Sequence, residues 1–190
     1  AESEKISFLR LRPQTLFTPE LHNFFENLGF QQSPMHLTAD LTLQLDLSQS
    51  EDTLLAQMRK NTRYEVRKAQ KIGISTRLNK DPAEIQAFYE SQLDLAKRQN
   101  FIPFSYQFLY QQFLAFLKND QVALIHSYYK DQLLASAFVI FYRSEAVYHY
   151  GISTLANAKL PGSYVSRFRF TLKEKKRGLS IYNFWGISPA

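Results

Sequence analysis

The chain has 190 residues, 45% of them apolar and 21% charged, which is enough apolar material to bury a sizeable hydrophobic core. It contains no cysteine, which excludes disulfides, thiolate metal ligands and a cysteine nucleophile. The 23 Lys and Arg residues exceed the 17 Asp and Glu residues by six. No apolar run reaches the roughly 18–20 residues of a membrane span, and no signal peptide is recognised, so we expect a cytoplasmic protein.

The first third of the chain alternates between extended and helical patterns. Residues 6–12 alternate apolar with polar side chains and predict a strand that ends at Pro13. Residues 18–20, Thr-Pro-Glu, are typical of a helix start, and Gly29 is a natural stop for that helix. Residues 41–47 again alternate and predict a second, half-buried strand.

A long helix is predicted over residues 52–72, and it carries the charge excess. Six basic residues and one acidic residue lie between positions 59 and 71, so this segment holds five of the six net positive charges. A spacing of four places Arg59, Arg63, Arg67 and Lys71 in one row, with Lys60 and Lys68 beside it. A solvated face and an anion-binding face both fit this pattern. The fitting partners for an anion-binding face are nucleic acid, a nucleotide-linked precursor or an anionic membrane.

From residue 74 onward the predicted order is strand, two helices, three strands, helix and strand. The three strands, 122–129, 133–142 and 146–152, are joined by short turns and predict an antiparallel meander. A helix is predicted over 161–178 and a last strand over 180–185. This order resembles the core of GNAT-type acyltransferases. We therefore predict an α/β (α+β) fold, with a mixed, largely antiparallel sheet flanked by helices.

Few residue patterns point to a particular reaction. The histidines form no metal-binding pair, and neither a GxSxG elbow nor a Walker A loop is present: His22, His36, His126, His149. We expect no metal and no cofactor, and the sequence identifies no catalytic residue. An acetyl-CoA-dependent enzyme of this fold would be expected to carry a glycine-rich turn after the meander. Residues 157–163 contain one glycine, which weighs against CoA.

Tyr148 and Tyr150 are the strongest candidates for contact with a substrate. Strand alternation predicts that they share one face and that His149 lies on the other. Packing in the core fits these residues, and so does hydrogen bonding to a substrate amine or carbonyl. In a GNAT-like core the neighbouring strands splay apart near this point, so we expect the two hydroxyls to face a cleft. On the last strand, Tyr182 and Phe184 are predicted to be core.

Three segments, in this order, resemble motifs of the Fem-type peptidyltransferases, the FemA/FemB/FemX enzymes that add amino acids to peptidoglycan precursors. They are Lys60-Asn61-Thr62-Arg63-Tyr64-Glu65-Val66-Arg67-Lys68-Ala69 with Gly73-Ile74, then Tyr148-His149-Tyr150-Gly151-Ile152-Ser153, then Tyr182-Asn183-Phe184-Trp185-Gly186-Ile187. The family patterns are K-x-x-R-Y-x-[IV]-R-K-A…G-[IV], Y-x-Y-G-[AI]-S and Y-D-F-x-G-[IV]. Asn183 replaces the usual aspartate of the third pattern.

The resemblance implies two GNAT-like modules. Residues 1–58 would be the C-terminal part of the first module, 59–73 a basic helix at the junction, and 74–190 the second module. It further implies an aminoacyl-tRNA donor, a nucleotide- or lipid-linked peptidoglycan precursor as acceptor, contact with the inner membrane face, and no requirement for metal or CoA. Tyr148 and Tyr150 would then position the substrate. The residues that would bind phosphate or tRNA are Lys60, Arg63, Arg67 and Lys68.

The chain also departs from the family pattern. Residues 101–106 lack the basic residue that the family often has there, so the precursor is expected to differ. The chain begins partway into the first module and ends before the segment with a lysine suited to stabilise the oxyanion. We therefore expect a fragment or a divergent member. Two alternatives stay open: a CoA-dependent N-acyltransferase of the same fold, and a non-catalytic nucleic-acid-binding module that uses the basic helix.

Overall fold

The computed structural model describes residues 7–13, 15–34, 41–155, 160–162, 168 and 178–186. By its contacts the chain divides into two compact units, Ala1–Asp40 and Leu41–Ala190. The predicted helix over 161–178 lies largely outside the described residues. The predicted modules 1–58, 59–73 and 74–190 stay a prediction.

The first unit contains the predicted N-terminal helix, α1 (Pro19–Asn27). Thr18 caps it, because its Oγ1 accepts a hydrogen bond from the backbone N–H of Leu21 at 3.2 Å. The chain leaves the helix through Gly29, whose φ of +85° is readily adopted by glycine. The predicted strand at 6–12 is wrong for residues 7–12, which are irregular. Alternation alone forms no strand without a partner, and the described residues of this unit contain no other strand.

The second unit is built on one six-stranded sheet in the order β1-β6-β5-β4-β3-β2. All neighbouring strands are antiparallel except β5 and β6, which are parallel. The predicted mixed sheet and antiparallel meander are therefore confirmed. The strands are β1 (Thr42–Asp46), β2 (Ser75–Asn79), β3 (Val122–Tyr129), β4 (Gln132–Tyr142), β5 (Glu145–Ser153) and β6 (Ile181–Gly186). The helices are α2 (Glu51–Gln57), α3 (Lys60–Lys71), α4 (Glu84–Gln99) and α5 (Tyr106–Leu117).

Each face of the sheet has its own core. On the face covered by α4 and α5, the ring of Phe138 packs against Phe88 and Phe113, with centroids 6.2 and 5.6 Å apart. On the opposite face, Val139 and the fully buried Tyr182 belong to a second cluster. Successive strand residues thus enter different cores, so any change of register moves a side chain from one core to the other.

The predicted single helix over 52–72 is wrong, because the chain forms α2 and α3 with a break at Met58 and Arg59. Both residues are extended, with ψ of 148° and 145°. The break lets Leu55 and Val66 bury themselves in one apolar cluster. In a continuous helix these two residues would be about 16 Å apart along the axis, too far for their side chains to touch.

Candidate active site

Strands β5 and β6 pair for a short distance and then separate. Three residues of β5 pair with three of β6: Glu145 with Ile181, Ala146 with Tyr182 and Val147 with Asn183. Strand β6 goes on pairing with β1 as far as Gly186. Beyond Val147, no further residue of β5 pairs with β6 in the described part of the chain. The predicted splaying of strands beside Tyr148 and Tyr150 is therefore confirmed. We call this opening the β5–β6 split.

The register between β4 and β5 shifts at His149. Phe138 pairs with Tyr150 and Val139 with Tyr148, which leaves His149 as an extra residue, a β-bulge. Tyr150 and His149 contact Phe138 on the face covered by α4 and α5, whereas Tyr148 packs in the opposite core. The prediction that the two tyrosines share one face is wrong, because alternation fails where a residue is inserted.

Gly151 leaves room for the side chain of Tyr148. A Cβ atom added to Gly151 would lie 1.5 Å from the hydroxyl oxygen of Tyr148 and 2.4 Å from its Cζ. The half-buried Tyr148 ring therefore lies directly over the glycine. This contact explains in steric terms why a glycine follows the second tyrosine of the Tyr-x-Tyr-Gly motif.

Gln112, on α5, joins His149 to Tyr150. Its Nε2 lies 3.0 Å from Nε2 of His149, and its side chain lies near the hydroxyl of Tyr150. An amide NH2 group has two hydrogens and can donate to both partners. With the amide in this orientation, Nε2 of His149 accepts a hydrogen bond from Gln112.

Both ionisable groups of this network are held neutral. Burial lowers the pKa of His149 to about 4, so the imidazole is uncharged at pH 7. Burial also raises the pKa of the Tyr150 phenol, and the hydrogen bond from Gln112 opposes that shift in part. The β5–β6 split therefore contains an imidazole and a phenol without net charge, suited to hydrogen bonding with an amine or a carbonyl.

Trp185 lines the split from β6, edge-on to His149 with ring centroids 5.0 Å apart. Its φ of +62° is left-handed, and its N–H donates to Oδ1 of Asn183 at 2.8 Å. Asn183 in turn donates from Nδ2 to Glu145 at 2.6 Å and accepts from the Thr42 hydroxyl. An aspartate at 183 would repel Glu145, which gives a physical reason for the departure from the family pattern. The predicted core positions of Tyr182 and Phe184 are confirmed.

The basic side chains of α3 fall into two groups. Lys60, Arg67 and Lys71 are exposed, and Tyr64 between them is 61% exposed. Arg63 turns toward α2, where its Nη1 donates to three carbonyl oxygens near the end of that helix: Leu55 at 3.3 Å, Ala56 at 3.0 Å and Met58 at 3.2 Å. It therefore caps α2. Lys68 is half-buried and lies 3.8 Å from Glu65.

Some predicted site residues are brought together by the structure and others are not. Tyr148 and Tyr150 both adjoin the split, from opposite faces, and their predicted contact with substrate stays a prediction. So does phosphate binding by Lys60, Arg63, Arg67 and Lys68. Sequence analysis missed Gln112, His149 and Trp185. Only His149 and Trp185 carried a signal, because both lie inside the family motifs.

Neither a metal-binding cluster nor a membrane-crossing helix occurs within the described ranges. In them, no three His, Asp or Glu side chains are grouped as a metal site would require. None of the helices in those ranges has both the length and the apolar character needed to cross a membrane.

Solved structures share this fold. FemX superposes with a TM-score of 0.78 at 14% identity, over 90% of this chain and 61% of FemX. L-PGS from Bacillus licheniformis gives a TM-score of 0.55 at 10% identity, over 78% of this chain and 46% of that one. The C-terminal domain (DUF2156) of a putative lysylphosphatidylglycerol synthetase from Agrobacterium fabrum gives 0.53 at 11%, with the same coverages.

These superpositions show the fold, and the FemX-like fold expected from the three motifs is confirmed. The chain spans about three fifths of the length of FemX and less than half of the other two. No curated protein sequence matches it. The model of a family described as an acetyltransferase (GNAT) domain matches residues 56–186, which is more than half of the chain. On this match, the chain belongs to the acetyltransferase (GNAT) domain family.

Proposed function

We propose that the chain transfers an aminoacyl group from aminoacyl-tRNA to an amine on the stem peptide of a peptidoglycan precursor. The observation that carries the proposal is the β5–β6 split, where a neutral imidazole and a phenol line an opening between parallel strands. Membership of the GNAT domain family supports acyl transfer in general. The Fem-type motifs support the aminoacyl donor and the acceptor, and a cytoplasmic location with contact at the inner membrane face belongs to the same proposal.

The reaction depends more on positioning of the two substrates than on acid–base or nucleophilic catalysis by the protein. The acceptor amine forms a bond to the ester carbonyl carbon of the donor, the C–O bond to the tRNA ribose breaks, and the ribose oxygen leaves with a proton. An ester is already activated, so orientation and stabilisation of the developing oxyanion supply much of the rate. Tyr150 fits this need, because its phenol stays neutral and can donate its hydrogen to a substrate carbonyl.

The exposed face of α3 fits the donor. Lys60, Arg67 and Lys71 surround the exposed ring of Tyr64, and cations interleaved with an aromatic ring suit phosphates and unstacked bases. Arg63 contributes less to this surface, because its guanidinium group is held by α2. We therefore assign tRNA contact chiefly to Lys60, Arg67 and Lys71, with Lys68 beside them.

A transfer assay tests the proposal. The purified chain is incubated with tRNAs charged with radiolabelled amino acids, and with nucleotide-linked and lipid-linked precursors. We expect labelled precursor, and we expect Tyr150→Phe to slow transfer by about 1–3 kcal/mol in activation free energy, since one hydrogen bond is removed. Tyr142→Phe, at the far end of the β4–β5 hairpin, is the matched control. RNA binding without transfer would instead identify a nucleic-acid-binding module.

A CoA-dependent N-acyltransferase is the second candidate, favoured by the acetyltransferase description of the matching family. A CoA site of this fold would need a glycine-rich turn in residues 157–163, and the one glycine there, Gly162, packs against β4 instead. A Cβ added to Gly162 would lie 2.5 Å from Cβ of Leu134. Its carbonyl oxygen accepts a hydrogen bond from Ser127 Oγ at 2.9 Å. Calorimetric titration with acetyl-CoA separates the candidates, because saturable micromolar binding would favour CoA over aminoacyl-tRNA.

A further inference from the structure

The connection between α4 and α5 exposes large apolar side chains. Ile102 is 97% exposed, and Phe101, Phe104 and Phe108 are 41%, 51% and 45% exposed. We call these four residues the apolar tip. Single exposed apolar residues are ordinary on protein surfaces, whereas four within eight positions, two of them stacked on each other, are a concentration of the kind that marks an interaction site.

The backbone holds the apolar tip in place. Asn100 ends α4 in a left-handed conformation with φ of +53°, and the N–H of Phe101 donates to the carbonyl oxygen of Ala96 at 3.2 Å. Ser105 then caps α5, accepting from the N–H of Phe108 at 3.2 Å. Phe104 stacks on Phe108 with centroids 4.8 Å apart. The exposure of Ile102 is therefore built by hydrogen bonds on both sides of it.

The surroundings of the apolar tip point to the nature of its partner. Lys97 and Arg98, in the last turn of α4, are both exposed and lie shortly before the tip; Lys97 is 4.0 Å from Asp94, and Arg98 donates to the carbonyl oxygen of Ser153. An apolar projection bordered by cations is complementary to a lipid surface with anionic headgroups. On its other side, the ring of Phe104 lies 5.6 Å from Tyr150, so the tip adjoins the candidate active site.

We propose that the apolar tip inserts into the surface of an anionic lipid bilayer and thereby holds the β5–β6 split beside that surface. Ile102 and Phe101 enter the boundary between headgroups and acyl chains, and Lys97 contacts the headgroup phosphates. An acceptor attached to a lipid then reaches Tyr150 without leaving the bilayer. The inference shares membrane contact with the proposed function, but it does not depend on which acyl donor is used.

Sedimentation with lipid vesicles tests the inference. The 190-residue chain is mixed with vesicles of phosphatidylcholine containing phosphatidylglycerol, and with vesicles of phosphatidylcholine alone. We expect binding to the anionic vesicles, and a decrease of roughly tenfold in the partition coefficient for Phe101→Ser/Ile102→Ser, since two large apolar side chains lose their burial. Tyr142→Ser, at a position that is 52% exposed and ends β4, is the control and should bind like the parent chain.

A fluorescent reporter distinguishes insertion from adsorption. In a Trp185→Phe background, which removes the native tryptophan, Ile102→Trp should shift its emission to the blue and be quenched by brominated lipid, whereas Tyr142→Trp should show neither effect. The basic face of α3 is the rival site, so Lys60→Gln/Lys71→Gln is measured in parallel. Vesicle binding that is abolished in the α3 variant and kept in the tip variant would overturn the inference. So would an unquenched Trp at position 102, or no vesicle binding at all, whatever the outcome of transfer assays with nucleotide-linked precursor.

Discussion

Helix α3 and strand β5 carry the two most specific motifs of the chain, and periodic spacing predicts their side-chain directions with different success. The backbone of α3 is regular from Lys60 to Lys71, and its one displaced cation, Arg63, is drawn aside by α2. The backbone of β5 is itself irregular, because His149 is inserted between two paired positions. In a regular helix, side chains point where their spacing predicts unless a neighbouring element binds one of them. In a strand, an inserted residue puts the residues on its two sides on opposite faces.

Removing Arg63 tests whether it differs from the other cations of α3. We expect Arg63→Ala to lower the free energy of unfolding by about 2–3 kcal/mol, because three carbonyl oxygens at the end of α2 lose a charged donor. Arg67→Ala, on the exposed side, should stay within about 0.5 kcal/mol of the parent chain. Urea unfolding monitored by circular dichroism measures both. Equal losses of stability for the two substitutions would contradict the capping of α2 by Arg63.

The pH dependence of stability tests the insertion at His149. Its pKa is lowered to about 4 in the folded chain from 6.5, so the unfolded chain binds more protons between these values. Stability from this residue is therefore complete above pH 6.5 and is lost as the pH falls toward 4. Partial solvent contact reduces the effect, and we expect about 2 kcal/mol.

The measurement compares the parent chain with His149→Gln by urea unfolding at about pH 7.5 and about pH 4.5, on either side of the ordinary histidine pKa. The variant should lose less stability over this interval, because glutamine does not titrate. A nuclear magnetic resonance titration of the imidazole gives an independent value. A midpoint near 6.5 would show that His149 is solvated and does not lie among Phe138, Tyr150 and Trp185.

Gly151→Ala tests the position of the Tyr148 ring on the opposite face. The added methyl group would meet the ring at 1.5 Å, so the ring has to move, and we expect a decrease of about 1–2 kcal/mol in stability. In a Tyr148→Ala background the same change should cost much less, since the obstructing ring is gone. Additive losses in this double-mutant cycle would contradict the packing of Tyr148 over Gly151.

The smallest expected change in stability concerns the exposed cations of α3. Lys60→Gln/Lys71→Gln should alter the free energy of unfolding by less than about 0.5 kcal/mol. It should weaken binding to tRNA and reduce the slope of log affinity against log salt by about one for each phosphate that is no longer neutralised. Filter binding at several salt concentrations gives the slope. An unchanged slope would place the RNA-binding surface elsewhere on the chain.

Local patterns predicted the order of elements, because hydrophobic periodicity and turn residues are properties of short segments. The meander β3-β4-β5 and the start of α1 followed from them. The strand predicted at 6–12 did not form over residues 7–12, because pairing depends on a second strand. The break between α2 and α3 arises from burial of Leu55 and Val66 in one cluster, which spacing within either helix does not reveal.

The candidate site was predictable only in part. The tyrosines stood out by their motif, but the bulge that separates their faces depends on how β4 and β5 align. Gln112 lies 37 residues from His149 along the chain and was invisible to any local pattern. The capping role of Arg63 likewise depends on how α3 is oriented relative to α2 after the break at Met58. Long-range contacts therefore decided what each motif residue does.

The place of β6 in the sheet has a consequence for how the chain is made. Among the described strands it is the last along the chain, yet it lies between β1, the first of them, and β5. Thr42 and Asn183, which hydrogen-bond across β1 and β6, are 141 residues apart, and closing so long a loop is slow because its entropy is lost before contacts form. On the ribosome, β2 to β5 can pair with α4 and α5 already packed against them, while β1 still awaits its neighbour β6. The β5–β6 split therefore forms only after β6 has been synthesised, and a nascent chain halted before Ile181 leaves open the edge of β5 that pairs with β6.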